Sequence, residues 1–450
     1  MDLDLWLCGS LVARTESRER GARVRIVYDG DVAAEVGDEV PLLSCSLPTP
    51  GPSVPARAHA FLEGLLPEGR ALEAAAAQVR GVRLRNGAPE APSDAVMLLA
   101  EFGRECAGAV VAVPAGSPAP VGGSYEPLDE GGLAAIVRGL PQHPLGTDLN
   151  RDIRMSLAGA QPKFLLARID GSWCEPAGGA PSTHILKPTT PAWPDSARNE
   201  ALVMTLARRA GLTDHPVWVE EMGGTPVLVV ERYDREVRSG NVVRLHQEDI
   251  CQAVGLRPAD KYAIGRPSGR MARLLREFAD DPRAQVERLF RQLAFRVVVG
   301  DEDGHGKNYS VLLSDGAVTL APLYDSLCTL LYPELGGKMA APVGAQESLA
   351  KVDRAALLEE AAAMGIPRSE AEDCLDRLGG ELRRGIGELD DGCTAGWPSG
   401  QVVEIISTRI GRLESAQPLG LPSGRRTRTR GTLDEATLRA SRGSASGLNG

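Results

Sequence analysis

Apolar positions alternate with a period of two near the start of the chain. Leu3, Leu5 and Leu7 do so, as do Val24, Ile26 and Tyr28 against Arg23 and Arg25. Successive side chains of a strand point to opposite faces, so both stretches predict half-buried strands. Ala58, Phe61, Leu62 and Leu65 follow helical spacing, and Ser93 reads as the cap of a second short helix through Val96 and Leu99. These elements predict a small α/β unit over residues 1–112. The Pro- and Gly-rich stretch 113–121 (VPAGSPAPV) marks a linker, which with a connecting helix runs over 113–149.

Residues 150–235 read as a strand-rich lobe, with strands at 164–168, 184–187 and 227–231. A single helix over 199–210 interrupts them and ends at Gly211. From 236 to 414 the period changes. Val286, Leu289, Phe290, Leu293 and Val297 form an i, i+3, i+4, i+7, i+11 stripe that Gly300 stops. A hairpin follows over 309–313 and 317–321, turning at Ser314-Asp315-Gly316, and helices resume around 355–364. Residues 415–450, rich in Gly, Ser, Arg and Thr, lack the apolar content to fold and predict a disordered basic tail. No internal repeat is visible.

Hydrophobic residues at 43% and charged residues at 24% exclude a fibrous or wholly disordered chain. The net charge of −10 divides unevenly: the tail carries +4 and the rest −14. Such an acidic body argues against broad binding to nucleic acid, which needs a phosphate-neutralising surface. The eight cysteines are scattered without a CxxC pair, which argues against a disulfide framework or zinc ribbon and fits a reducing compartment. The acidic start and the lack of an 18-residue apolar run predict a soluble cytoplasmic protein with no membrane partner.

The densest polar stretch is Gly300-Asp301-Glu302-Asp303-Gly304-His305-Gly306-Lys307-Asn308, between an apolar helix and an apolar strand. Asp303 and Asn308 have the Asp-x-x-x-x-Asn interval of a protein-kinase catalytic loop. There the Asp takes the proton of the attacking hydroxyl and the Asn offers a neutral oxygen to Mg²⁺. Asp325, beyond the hairpin, is placed to return a carboxylate to the same metal. A calcium loop starting at Asp301 fails, because its fifth position is His305 and its twelfth is Leu312. Upstream, Ala158, Gly159, Ala160, Gln161, Pro162 and Lys163 make a small-residue turn able to bring backbone N–H groups to phosphates. Lys187 ends an apolar strand. Glu200 lies on the helix face shared with Val203 and Ala207, where a carboxylate needs a partner such as that lysine. Glu231, Arg232 and Tyr233 fall where a hinge against adenine would be. Loop, lysine strand, glutamate helix, hinge, helical lobe, DxxxxN loop and aspartate follow the chain order of a two-lobed kinase.

The same residues resemble the HipA family of serine/threonine kinases, the toxin halves of bacterial toxin–antitoxin pairs. The resemblance rests on SLAGAQPKFLL (156–166), THILKP (183–188), NEALVMTLARRAGL (199–212), VVERYDR (229–235), RLHQEDICQAVGL (244–256), GDEDGHGKNYSVLL (300–313) and LAPLYD (320–325). FLEGLLPEGR (61–70) and LLAEFGRECAGAVV (98–111) extend it over about residues 1–400. It implies an α+β, two-lobed protein-kinase-like fold, with a β-rich N-lobe and a helical C-lobe, preceded by a small α/β subdomain. It further implies Asp303 as catalytic base and Asn308 and Asp325 as Mg²⁺ ligands. Lys187 and residues 158–163 would lie on ATP phosphates, with His305, Gly306, Lys307 and Tyr324 nearby. Glu231, Arg232 and Tyr233 would contact adenine, and Ser156 would be phosphorylated by the protein itself. Gly306 departs from the family pattern, where a larger aliphatic residue is common. The implied partners are a small helix-turn-helix antitoxin, DNA only through that antitoxin, and a protein substrate of the translation apparatus such as an aminoacyl-tRNA synthetase. A small-molecule or lipid kinase and a catalytically silent regulator remain the alternatives.

Overall fold

Leu3, Leu5 and Leu7 point into one core from β1 (Leu3–Leu7), an inner strand of an antiparallel sheet. With β2 (Ser10–Arg18), β3 (Arg23–Tyr28) and β4 (Val110–Pro114) it gives the order β3-β2-β1-β4. The chain between β3 and β4 forms α1 (Gly30–Val36), α2 (Pro55–Gly64), α3 (Gly69–Arg85) and α4 (Ala95–Phe102); α2 packs on β3 and α4 on β4. The computed structural model describes residues 1–18, 23–85, 95–120, 122–140, 155–157, 161–263, 265–314, 316–390 and 397–422. The predicted cap Ser93 and turn residue Asp315 lie outside them.

Within the predicted linker and connecting helix, the described residues hold one whole strand and one helix besides turns. The first linker residues, Val113 and Pro114, complete β4. Then β5 (Ser124–Pro127) pairs with β7, and α5 (Glu130–Gly139) covers the same sheet through Leu133, Ile136 and Val137. β5, mostly exposed and four residues long, leaves no alternation to read in the sequence. The sheet runs β5-β7-β6-β8-β10-β9, with β6 (Phe164–Ile169), β7 (Ser172–Ala177), β8 (His184–Pro188), β9 (Val217–Met222) and β10 (Thr225–Glu231). The helix α6 (Ser196–Arg209) packs on β9 and β10, and Gly211 follows it at φ 66°.

The helical lobe opens with the hairpin β11 (Arg235–Arg238) and β12 (Asn241–Arg244), then β13 (His246–Asp249) and the single turn α7 (Ile250–Ala253). Next come α8 (Pro267–Phe278), α9 (Pro282–Val299) and the predicted hairpin β14 (Ser310–Ser314) and β15 (Ala317–Leu320), which β13 joins. The predicted apolar stripe of α9 is buried throughout. Gly300 ends that helix in the left-handed region at φ 83°, and an added Cβ there would lie 2.8 Å from Leu330 Cδ1. A short ribbon, β16 (Lys338–Val343) and β17 (Gln346–Ser348), precedes α10 (Arg354–Ala363), α11 (Arg368–Gly387) and α12 (Ser399–Glu414). The first residues of the predicted disordered tail are folded. Leu419 is buried, its N–H donates to Val352 O, and Arg409 reaches Gly420 O. One leucine anchors what the surrounding polar composition hides.

The N-terminal subdomain meets the helical lobe through a set of polar contacts. Cys45 N donates to Glu248 Oε1 (2.7 Å), Ser46 Oγ to Gln252 O (2.7 Å) and Gln252 Nε2 to Phe61 O (3.1 Å).

Candidate active site

Beyond Gly300 the two aspartates diverge. Asp301 is buried and accepts from Arg296 Nη1 (2.5 Å), Ser326 Oγ (2.8 Å) and Asp303 N (3.0 Å). It holds the loop. Asp303 is less covered, its side chain 13% exposed; the Tyr262 hydroxyl donates to it at 3.5 Å, and His305 Nε2 stands 4.0 Å away. Its main-chain oxygen accepts from Asn308 Nδ2 at 2.8 Å, which leaves Asn308 Oδ1 as the acceptor for a cation. The five-residue interval is therefore a physical contact. His305 stacks edge-on against Tyr262, and Gly306 N donates to Lys261 O at 3.4 Å. Lys307 is bonded to Asp249, the residue that caps α7.

Arg296 joins this loop to Asp325. Its guanidinium, on a residue 2% exposed, donates to Asp325 O (3.0 Å), Asn308 O (3.0 Å) and Tyr324 O (2.6 Å) besides Asp301. The motif reading missed it. The available signal was a charged residue inside the apolar run Ala294-Phe295-Arg296-Val297-Val298-Val299, since a charge at a buried position requires partners. Tyr324 adds a second tie through its hydroxyl, which donates to Lys307 O at 2.7 Å. Asp325 takes a left-handed φ of 52°, a conformation that costs energy in a non-glycine residue and that the surrounding bonds hold.

From that turn the Asp325 carboxylate reaches Lys187 Nζ at 2.5 Å, and the same ammonium donates to Glu200 at 2.7 Å. Burial alone would lower the Lys187 pKa, but Asp325 and Glu200 outweigh it and raise it. Burial works the other way on Asp325, and the charges of Lys187 and Lys163 overcome it, so the carboxyl is held well below its usual range. Lys163 is lowered to about 8 by burial and by Lys187. Ala158, Gly159 and Ala160 of the predicted phosphate loop lie outside the described residues; Gln161 is half-buried and Pro162 exposed. From the N-terminal subdomain, Glu68 bonds Lys261 at 2.9 Å and lies near Lys307 and Lys163.

At the predicted hinge, Glu231 is partly exposed beside His215 (3.9 Å). The Tyr233 ring lies 5.5 Å from that of Tyr324, and its hydroxyl donates to Gln247 Oε1 at 2.7 Å. The Arg232 side chain does not face the cleft. It is turned inward to Asp234 and Glu105; its N–H is bonded to Thr183 O and its oxygen accepts from Arg235 N, so the second lone pair of that oxygen is what it can offer a hinge ligand. Ser156 is also inward: it is fully buried, and its hydroxyl donates to Leu65 O at 2.6 Å. Among the described residues no group of three or more His, Cys, Asp and Glu side chains gathers as a metal cage.

Comparison with known proteins matches this layout. A family model of the HipA-like C-terminal domain fits residues 155–386, and one of the HipA N-terminal domain fits residues 3–113. The putative kinase Y4mE of Sinorhizobium fredii is 38% identical over 361 residues, covering 78% of this chain and 83% of that protein. The chain belongs to the HipA family of kinases. The serine/threonine-protein kinase toxin HipA of Shewanella oneidensis is 26% identical over 364 residues, 77% of this chain and 80% of its own length. The HipA fold is shared with the solved Shewanella oneidensis HipA, from a complex with HipB and its operator DNA. The TM-score is 0.75 over 92% of this chain and 97% of that one, at 22% identity. The HipA C-terminal match begins at Met155, the residue that bridges to Glu105 of the N-terminal subdomain. No described helix of this HipA-family chain is long and apolar enough to cross a membrane.

Proposed function

We propose that the chain is an ATP- and Mg²⁺-dependent serine/threonine protein kinase. The observation that carries this reading is Lys187, buried between Glu200 of α6 and Asp325 of the turn that Arg296 clamps to the Asp303 loop. The donor set fits the metal: one carboxylate and one amide oxygen suit Mg²⁺, which takes few protein ligands and completes its shell with phosphate and water. Asp325 and Asn308 would hold it, and the bound ion would offset phosphate charge. Lys187 and Lys163 would face the phosphates, and the backbone of Glu231, Arg232 and Tyr233 the adenine. Asp303 takes the proton of the acceptor hydroxyl. The partners proposed are a protein of translation as substrate, an aminoacyl-tRNA synthetase being one, and a small helix-turn-helix antitoxin through which any DNA contact would pass.

Ser156 is the proposed site of self-phosphorylation. With its hydroxyl bonded to Leu65 O inside the protein, it reacts only after leaving that contact, and a phosphate of about −1.5 to −2 charges does not fit back. Incubation with Mg-ATP and peptide mass spectrometry should find phosphate on Ser156, with none in Asp303→Asn. The modified protein should bind ATP at least about tenfold more weakly, because Met155, Leu157 and the adjoining loop are displaced. No transfer to itself or to any protein in a bacterial extract would sink the protein-kinase reading.

The depressed Lys163 pKa of about 8 sets a pH signature. Above pH 8 the free protein has lost that proton, and phosphates favour its return. ATP binding should then take up a proton, with affinity falling about tenfold per unit of rising pH, and be flat just below pH 8. Calorimetry in two buffers of different ionisation enthalpy reads the uptake, and Lys163→Met should abolish it.

A further inference from the structure

Glu105 lies in the N-terminal subdomain just beyond α4, inside the 98–111 stretch and far in sequence from the nucleotide motifs. Its buried carboxylate accepts six hydrogen bonds. Oε1 receives Ser182 N (2.9 Å), Ser182 Oγ (2.8 Å), Arg232 Nη1 (3.2 Å) and Arg235 Nη2 (2.9 Å). Oε2 receives Arg244 Nε (3.1 Å) and Nη2 (2.6 Å). The same residue's main-chain oxygen accepts from Ser156 N at 2.7 Å, and Met155 bridges to it in parallel register. Its side chain thus holds the hinge arginine and Ser182, two residues before β8, while its main chain holds Ser156, two residues ahead of the small-residue loop.

We infer that Glu105 is a positioning residue for the nucleotide site, through which the N-terminal subdomain fixes the hinge and the loop relative to each other. The inference rests on the kinase reading above, in which those two segments flank the nucleotide.

The chemistry supports a charged tie. Arg232 and Arg235 also reach Cys106 O, and Gly108 N donates to Asp234 Oδ2, so the segment 105–108 is bonded to the hinge on both its main chain and its side chain. Burial opposes the charge on Glu105, yet the three guanidiniums hold its pKa down to about 2, so the tie persists at every physiological pH. Arg232 N in turn donates to Thr183 O, next to Ser182, which closes a ring from Glu105 through the start of β8 to the hinge and back. None of the bonds of Asp303, Asn308, Asp325 or Arg296 described above passes through Glu105. Loosening it should therefore change how the nucleotide is held and leave the proton-transfer geometry alone.

The test is Glu105→Gln, which keeps shape and removes charge. The KM for ATP should rise by about tenfold or more, with kcat within about twofold of wild type. In nucleotide-free protein, amide hydrogen exchange should accelerate in peptides covering 155–163 and 229–236 and stay unchanged over 300–308. An unchanged KM with unchanged exchange, or a kcat lost at unchanged KM, overturns the inference. Because three arginines lose a buried counter-charge, Arg244→Met serves as the second variant. It removes both donors to Oε2 and leaves Glu105 and Asp234 balanced by Arg232 and Arg235. A smaller rise in KM, about threefold, is expected; a value equal to wild type overturns the inference even where Glu105→Gln does not fold. If the wild-type chain binds no ATP at all, the kinase reading itself fails; if it binds and both variants bind equally well, only the role of Glu105 fails.

Discussion

Asp303→Asn should lower phosphotransfer by about 10²–10⁴ while leaving ATP affinity and thermal stability close to wild type. The ties that hold the loop run through the Asp303 main chain, to Asn308 Nδ2 and Asp301 Oδ1, and survive the change. Asp301→Asn separates the two roles. It weakens the bonds to Arg296 and Ser326 at a buried position, so activity and melting temperature should fall together. Single-turnover transfer measured beside a thermal melt distinguishes them. If Asp303→Asn transfers at the wild-type rate, the base lies elsewhere.

Arg296→Met should be the most damaging single change outside the reacting groups. It leaves the buried Asp301 carboxylate without its counter-charge, a loss of about 3–5 kcal/mol, set against a total stability of about 5–15 kcal/mol. It also frees the carbonyls of Asn308, Tyr324 and Asp325 that one guanidinium gathers. The double variant Arg296→Met with Asp301→Asn removes both charges and should recover part of the stability in denaturant titrations. It should recover none of the activity, because those three carbonyls remain unheld. Recovery of both together would show that Arg296 acts on stability alone.

The parts of this site legible in the sequence are those whose interval along the chain is also their contact in space. Asp303 and Asn308 are bonded across one loop, and Lys187 meets Glu200 across the link from β8 to α6. The strands with alternating or continuous apolar residues, β1, β6, β8 and β10, were likewise readable. The strand β7, Ser172-Trp173-Cys174-Glu175-Pro176-Ala177, was not, because its Pro and Glu blur the strand signal. Motif position also says where a backbone runs and nothing of where a side chain turns. Arg232 stands at the hinge, yet its guanidinium faces Glu105, 127 residues earlier. Ion pairs across such separations leave no periodicity, so the Glu105 network had no pattern to betray it, whereas the Arg296 clamp left one trace, a charge inside an apolar run.

The polar contacts between the N-terminal subdomain and the rest bear on folding during synthesis. The sheet β3-β2-β1-β4 is complete once residue 114 has emerged, and its core draws on no later residue. Its partners at Arg232, Arg235, Arg244, Glu248 and Gln252 follow up to about 140 residues afterwards, roughly 10 s at ordinary elongation rates. During that interval the finished subdomain presents Glu105, Ser44, Ser46 and main-chain oxygens to water, groups that water satisfies well. A nascent chain built this way can wait for its second half with these groups satisfied by water.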